Sequence, residues 1–117
     1  MTYTGTGHEA QARSYSSTAS AATRRAERAA RQAAEAYATA AEARSYGAWV
    51  TQHPELWTHG SPPAVLDVRA RTWERIADVY LGRSFSATDS AAFYRDMAAR
   101  YRAMAAKQAA RMAEVSP

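Results

Sequence analysis

The chain has 117 residues, a net charge of +4 and no cysteine. This length predicts one small domain, and the lack of cysteine excludes disulfide bonds, cysteine-ligated zinc and thiol catalysis. About thirty residues are alanine, whereas Ile, Leu, Val and Phe together number about eleven. Alanine buries little apolar area. The three tryptophans, the seven tyrosines or a partner chain must therefore supply much of the core, and we expect a homo-oligomer.

Two features of the sequence bear on its location. The first ten residues, MTYTGTGHEA, have neither the basic n-region nor the apolar h-region of a signal peptide. No stretch approaches the roughly eighteen apolar residues that a membrane-spanning helix needs. We therefore expect a cytoplasmic protein without a membrane partner.

The N-terminal residues are rich in Ser, Thr and Gly, whose side chains and backbone disfavour a helix interior. Residues 1–14 are accordingly predicted to form a flexible or extended tail, and residues 15–117 a single helical domain. Thr6 and Glu9 have the spacing of a capping box, which allows an earlier helix start.

A long first helix is predicted to begin between Ser14 and Thr23 and to end near Tyr46, because Gly47 loosens or ends it. Its seven-residue rows are Tyr15, Ala22, Ala29, Ala36 and Ala43, and Ala19, Ala26, Ala33 and Ala40. The opposite face carries charges, namely Arg24, Glu27, Arg28, Arg31, Glu35 and Glu42. This pattern predicts a heptad seam of alanine, which lets a partner helix approach toward the short end of the roughly 8–10 Å interaxial range.

The segment WVTQHPELWTHGSPP, residues 49–63, is predicted to be the corner after the first helix. Pro54 follows a histidine that it pushes toward extended geometry, and it can open a short helical turn over 54–59. Trp49, Pro54 and Trp57 are the expected structural residues of this corner, with Leu56 packed beside the tryptophans.

Two further helices are predicted. The middle helix runs from about Pro62 to Leu81 and the last helix from about Ala87 to Val115, with the turn GRSFS at 82–86 between them. The expected core stripe of the middle helix is Leu66, Ala70, Trp73, Ile76, Ala77 and Tyr80. The last helix has two apolar faces. The bulky face is Phe93, Met97, Tyr101, Met104 and Met112, expected to contact the Trp73 helix. The other face is Ala92, Ala99, Ala103, Ala106, Ala110 and Ala113.

The corner also contains residue types found in active sites. His53 and Glu55 match the first half of the zinc-deaminase signature, but its second half needs cysteines that the chain lacks. His53, Glu55 and His59 have no recognised metal-ligand spacing, and no phosphate-binding glycine motif is present. We therefore expect no enzymatic activity, no metal and no cofactor.

An arginine row is the clearest candidate for binding. Arg24, Arg25, Arg28 and Arg31 lie within about 120° of one helix face and could contact phosphates. Glu27 and Glu35 share that face and are expected to pair with Arg31, which is typical of a solvated surface. The row therefore has two interpretations, a solvated face and a nucleic-acid contact.

The size and long antiparallel helices are similar to those of small secreted helical hairpins that carry a Trp-x-Gly turn. The motif differs, because the connection reads Trp57-Thr-His-Gly60, which is one residue longer, and a third helix is expected to intervene. We assign the chain to no family.

The sequence predicts an all-α, elongated bundle of three main helices plus the short turn at 54–59. We expect a non-enzymatic interaction or assembly protein that self-associates through alanine seams and presents an arginine-rich face to a partner. The candidate self-association residues are Ala26, Ala33, Ala99 and Ala106. One alternative is a nucleic-acid-binding accessory protein. A second is a protein that holds a small anionic ligand, such as a nucleotide, between subunits.

Overall fold

The computed structural model describes residues 7–57 and 62–115, and these residues are almost wholly helical. Helix α1 spans His8–Thr51, a short 3-10 turn spans Pro54–Leu56, and helix α2 spans Pro62–Val115. Within these ranges there is no strand. The all-α class is confirmed, whereas the count of three main helices is wrong.

Helix α1 begins earlier than predicted, at His8, so residues 8–14 are helical rather than a tail. Some of the hydroxyl groups expected to oppose the helix form hydrogen bonds to its backbone instead. Thr18 Oγ1, for example, donates to the carbonyl oxygen of Ser14 at 3.0 Å. Thr6 of the predicted capping box lies outside the described residues. The single domain over 15–117 stays a prediction.

Helix α2 is continuous through Gly82, so the predicted turn at 82–86 is wrong. The physical reason is a row of small buried residues at an unbroken seven-residue spacing. This row consists of Ala70, Ala77, Ser84, Ala91, Ala98 and Ala105. A continuous helix keeps this seven-residue spacing on one stripe of α2, whereas a turn at Gly82 would interrupt it. Gly82 itself keeps a helical backbone.

The alanine rows predicted for α1 are buried. Their fully or nearly fully buried members are Ala19, Ala22, Ala26, Ala29, Ala33, Ala36 and Ala40, and Ala12 extends the pattern toward the N-terminus. Gly47 continues this seam instead of ending the helix, because a Cβ added there would lie 3.5 Å from the Cβ atom of Leu66. Small residues on both helices thus allow a close helix–helix contact.

The chain divides into two units. Unit 1 comprises the described residues of 1–26 and 86–117, and unit 2 comprises residues 27–85 apart from 58–61. Each unit is an antiparallel pair made of one segment of α1 and one of α2. In unit 1, Tyr15 stacks on Tyr101, and Thr23 accepts a hydrogen bond from Arg95.

Unit 2 has the same antiparallel order. Gly47 faces Leu66 near the corner, and Arg44 bonds Glu74 farther along α2. Trp73 belongs to the same helix as the bulky face of Phe93 and Met104, so the expected contact between two separate helices is wrong. Because α2 is one continuous helix, the described residues contain no third helix, and this expected difference from the Trp-x-Gly hairpins is wrong. The longer spacing from tryptophan to glycine remains.

Candidate interaction surfaces

The buried interior consists of small side chains, and the bulky ones lie outside it. Among the described residues, the buried apolar side chains are alanines except for Val50 and Leu66. The exposed large side chains of unit 2 are Tyr37, Tyr46, Trp49, Leu56, Val65, Val68, Trp73, Val79 and Phe85. Those of unit 1 are Phe93, Met104 and Val115. Exposed apolar side chains that cluster mark contact sites for other molecules.

One flank of unit 2 is held by ionic contacts between the helices. Arg44 donates from Nε and NH2 to Glu74 Oε1 at 2.8 and 2.6 Å, and from NH1 to Asp67 at 3.3 Å. Arg71 completes the cluster with an ion pair of 2.8 Å to Asp67. The hydrogen bonds to Glu74 raise the pKa of Arg44 further above its usual range. The two carboxylates are thus engaged inside the unit.

Tyr37 and Asp78 extend the same flank. The Tyr37 hydroxyl donates a hydrogen bond to the Asp78 carboxylate. This hydrogen bond, together with desolvation and the negative charges of Asp78 and Glu74, raises the pKa of Tyr37 above its usual value. Every acidic residue that α2 contributes to unit 2, namely Asp67, Glu74 and Asp78, therefore contacts α1.

A second row of α2 in unit 2 faces away from these acids. Its members are Val65, Val68, Thr72, Ile76 and Val79, spaced three, four, four and three residues apart. The three valines are 53–55% exposed. We call these five residues the valine row. At about 100° per residue they form one stripe on a side of α2 that α1 does not cover.

The sequence pattern does not single out this row, because it places Trp73 and Ile76 in the expected core. Trp73 is 40% exposed and Ile76 is half-buried. The signal was present in the spacing of the branched side chains, which is that of a helix stripe.

The arginines beside the valine row have no carboxylate partner among the described residues. Arg69 and Arg75 form no ion pair or hydrogen bond with any described residue. Arg83 lies with its guanidinium carbon 5.5 Å from the centre of the Tyr80 ring and has no carboxylate partner among the described residues. This side of α2 is therefore apolar and positively charged.

Unit 1 exposes a row of alanines. Its members are Ala92, Ala99, Ala106 and Ala113, each adjacent in sequence to a residue of the buried row or of its continuation. The predicted self-association residues Ala99 and Ala106 thus lie on the surface. The other two, Ala26 and Ala33, are 7% and 2% exposed inside the seam.

The arginine row predicted from the sequence is exposed. Arg24 and Arg25 belong to unit 1, and Arg28 and Arg31 to unit 2. None of the four forms an ion pair or hydrogen bond within the described residues. The expected ion pairs of Arg31 with glutamates do not form within the described residues, and both interpretations of the row, a solvated face and a nucleic-acid contact, stay predictions.

The corner is built as a turn. Pro54 opens the 3-10 turn, and Trp57 Nε1 donates to the carbonyl oxygen of Val50 at 2.9 Å. His53 stacks on Trp49 at 4.2 Å, and its Nδ1 lies 2.8 Å from the Trp49 carbonyl oxygen. Trp49 and Leu56 are 45% and 54% exposed, so neither packs beneath the corner as expected.

No three His, Asp or Glu side chains come together as metal ligands in residues 7–57 and 62–115, and His59 lies outside these ranges. An open concavity of about 330 Å³ in unit 1 is lined by His8, Met104, Lys107, Gln108 and Arg111. Its positive side chains suit an anion, although its walls are open to solvent.

The chain matches no protein-family model, no characterised protein and no solved structure. No helix of the described residues is long and apolar enough to cross a membrane. The function must therefore be argued from the chain's own surfaces.

Proposed function

We propose that this chain is a non-enzymatic helical interaction protein whose exposed apolar rows are covered by other polypeptides. One observation carries the proposal: α2 is apolar on more than one side, and α1 covers only one of them. A helix with a second apolar side is typical of one that has neighbours on both sides. The alanine row of unit 1 and the valine row of unit 2 are the two uncovered sides.

Self-association is assigned to the exposed alanine row of unit 1. Ala99 and Ala106 stand one heptad apart on the surface, so a second helix can approach them closely without any change in the fold of the chain. Ala26 and Ala33 are occupied by the chain's own seam, and they could join copies only if α1 and α2 exchanged partners between chains.

Light scattering after size-exclusion chromatography tests this assignment. The wild-type chain should have a mass above that of the monomer at high micromolar concentration, and Ala106→Arg should return it to the monomer, because a long charged side chain cannot enter a close helix contact. Ala113→Arg lies at the end of the same row and is the matched control, with a smaller expected effect. A monomeric wild-type chain at these concentrations would remove self-association from the proposal.

Nucleic-acid binding is a second candidate. The observation in its favour is that Arg24, Arg25, Arg28 and Arg31 are exposed and have no acidic partner among the described residues. Such arginines would contact the phosphate backbone without reading sequence.

An electrophoretic shift with a duplex of random sequence at low salt tests the second candidate. We expect affinity to fall steeply with salt and with Arg24→Ala combined with Arg28→Ala and Arg31→Ala. Arg71→Ala is the control, since Arg71 is engaged with Asp67. No shift at low salt would eliminate this candidate.

A further inference from the structure

We propose that the valine row of unit 2 binds an acidic amphipathic helix of a different protein. The inference rests on the proposed function and names the partner of one of its two surfaces. The row spans fifteen residues from Val65 to Val79, which is roughly 21 Å along a helix axis. Its spacing is the one that a helix offers to a second helix lying along it. A partner of about four turns would cover it.

The charges of unit 2 determine the sign of the partner. The acidic residues that α2 contributes to unit 2 are engaged with Arg44 and Tyr37 on the opposite flank, so they are unavailable at the valine row. Arg69, Arg75 and Arg83 border the row and have no carboxylate partner among the described residues.

The charged residues of α1 do not reverse this sign. By helical position, Glu27, Arg28, Arg31, Glu35 and Glu42 lie on the side of α1 that faces away from the alanine seam. These five residues sum to one negative charge, which the three arginines that border the row on α2 outweigh. A partner helix with acidic flanks would complement this positive charge, which favours fast and specific association.

The same arginines argue against a second copy of this chain on the row. An antiparallel pairing of two α2 helices about Thr72 would match Val65 with Val79 and Val68 with Ile76. It would also place Arg69 opposite Arg75 of the other copy. A parallel pairing would place each arginine beside its own counterpart. Like charges at a helix interface disfavour the pairing. The occupant is therefore a different, negatively charged helix.

A display selection tests the charge of the partner. The full-length chain is immobilised and offered a library of amphipathic helices of about 24 residues, with Leu fixed along one stripe and the flanking positions randomised among Glu, Gln and Lys. We expect the retained helices to be enriched in Glu at the flanks relative to the input library. Enrichment of Lys or Gln, or no enrichment above the input, would overturn the proposal.

Variants locate the binding site of the selected helix. In fluorescence anisotropy, Val68→Asp should weaken binding of an enriched helix about tenfold or more, because it places a carboxylate within the apolar stripe. Arg69→Glu combined with Arg75→Glu should instead favour the Lys-flanked version of that helix. Ala38→Asp, at an exposed position of α1 in unit 2, is the matched control and should bind as the wild type does. Equal binding by Val68→Asp would contradict the assignment.

The outcomes separate this inference from the proposed self-association. Loss of self-association in Ala106→Arg concerns unit 1 and leaves the selection result untouched. If the wild-type chain forms a dimer that Val68→Asp breaks, then a second copy occupies the row and the inference is wrong. If the selection enriches no Glu-flanked helix while the wild-type chain still self-associates, only the inference of an acidic partner is wrong.

Discussion

Unit 1 and unit 2 each have a seam of alanine, but they differ in the side-chain contacts beside it. In unit 1, Tyr15 stacks against Tyr94 and Tyr101 with ring centres 6.0 and 5.5 Å apart. In unit 2, the contact beside the seam is made by Arg44, which donates hydrogen bonds to Glu74 and Asp67. Alanine contributes little burial energy and allows many registers. The larger flanking side chains therefore fix which turns of the two helices meet, by aromatic stacking in one unit and by ion pairs in the other.

The outer surfaces of the two units differ as well. Unit 1 exposes small side chains, Ala99 and Ala106 among them, whereas unit 2 exposes branched ones such as Val68 and Val79. A surface of alanines suits close approach of another helix. A stripe of valines offers more apolar area to a partner whose flanks match its charges. The comparison predicts that the two surfaces can be disrupted separately.

The largest loss of stability is expected from a substitution in the alanine seam of unit 1. Ala98 is 2% exposed, so Ala98→Arg forces a long charged side chain between the helices and should reduce the free energy of unfolding by at least about 3 kcal/mol. Its neighbour Ala99 faces solvent within the chain, and at a concentration low enough to keep the chain monomeric Ala99→Arg should change that free energy by no more than about 0.5 kcal/mol. Urea unfolding followed by circular dichroism measures both. Similar losses in the two variants would contradict the buried position of Ala98.

The flanking contacts are distinguished by their response to salt. Tyr15→Ala should lower the free energy of unfolding by about 2 kcal/mol, with little change between low and high salt, because stacking and burial are not screened. Arg44→Ala should have a smaller effect that shrinks as salt rises, since the cluster is exposed and ions screen it. Hydrogen exchange resolved by peptide should place the first effect in unit 1 and the second in unit 2. If the loss of unfolding free energy in Tyr15→Ala changes with salt, the proposed difference between the flanks of the two units is wrong.

The sequence predicted the all-α class and the seam of α1, because alanines and charges segregate there to opposite faces. It did not reveal the continuity of α2. Gly82 resembles a stop signal, and Ser86 with Asp89 resembles a new start. A glycine inside a helix costs about 1 kcal/mol relative to alanine. The buried row continues on both sides of Gly82, with Ala77 before it and Ser84 after it, and its burial can offset that cost.

The predicted burial of the bulky residues is wrong for a related reason. Large apolar side chains are ordinarily core residues, so Trp73 was assigned to the interior. Between two helices brought together by alanine there is no room for an indole ring, and Trp73 lies at the edge, 40% exposed. The aromatic stripe beside the valine row accounts for the expected core, so the sequence does not predict a separate valine row.

Glycine substitution tests the continuity of α2 directly. An alanine at position 82 would meet no heavy atom within 4 Å, so Gly82→Ala should raise the free energy of unfolding by about 0.5–1 kcal/mol. Gly47→Ala is the matched comparison in α1, where the new methyl group would lie 3.5 Å from Leu66 and gain ordinary contact. A destabilising Gly82→Ala would mean that residue 82 needs a backbone that only glycine adopts, as in the turn first predicted from the sequence.

The smallest effect concerns the hydrogen bond from Tyr37 to Asp78 in unit 2. Because Asp78 accepts this bond, the pKa of Tyr37 is raised in the folded chain above the value it has when unfolded. The stabilisation is therefore fully present below the ordinary tyrosine pKa of about 10 and is lost as the pH rises through the higher folded value. Urea unfolding from about pH 8 to pH 11 should show that Tyr37→Phe is less stable than the wild type at the lower pH and that the difference closes at the higher pH.

Removing the acceptor provides the control for this experiment. Asp78→Ala leaves the Tyr37 phenol without the partner that raises its pKa, so a second substitution of Tyr37 by Phe in that background should have little pH-dependent effect. Unit 1 should be unaffected in both backgrounds, because its flank is secured by Tyr15 and not by a phenol–carboxylate pair. If the difference between wild type and Tyr37→Phe stays constant across this pH range, the hydrogen bond is not what holds this flank of unit 2.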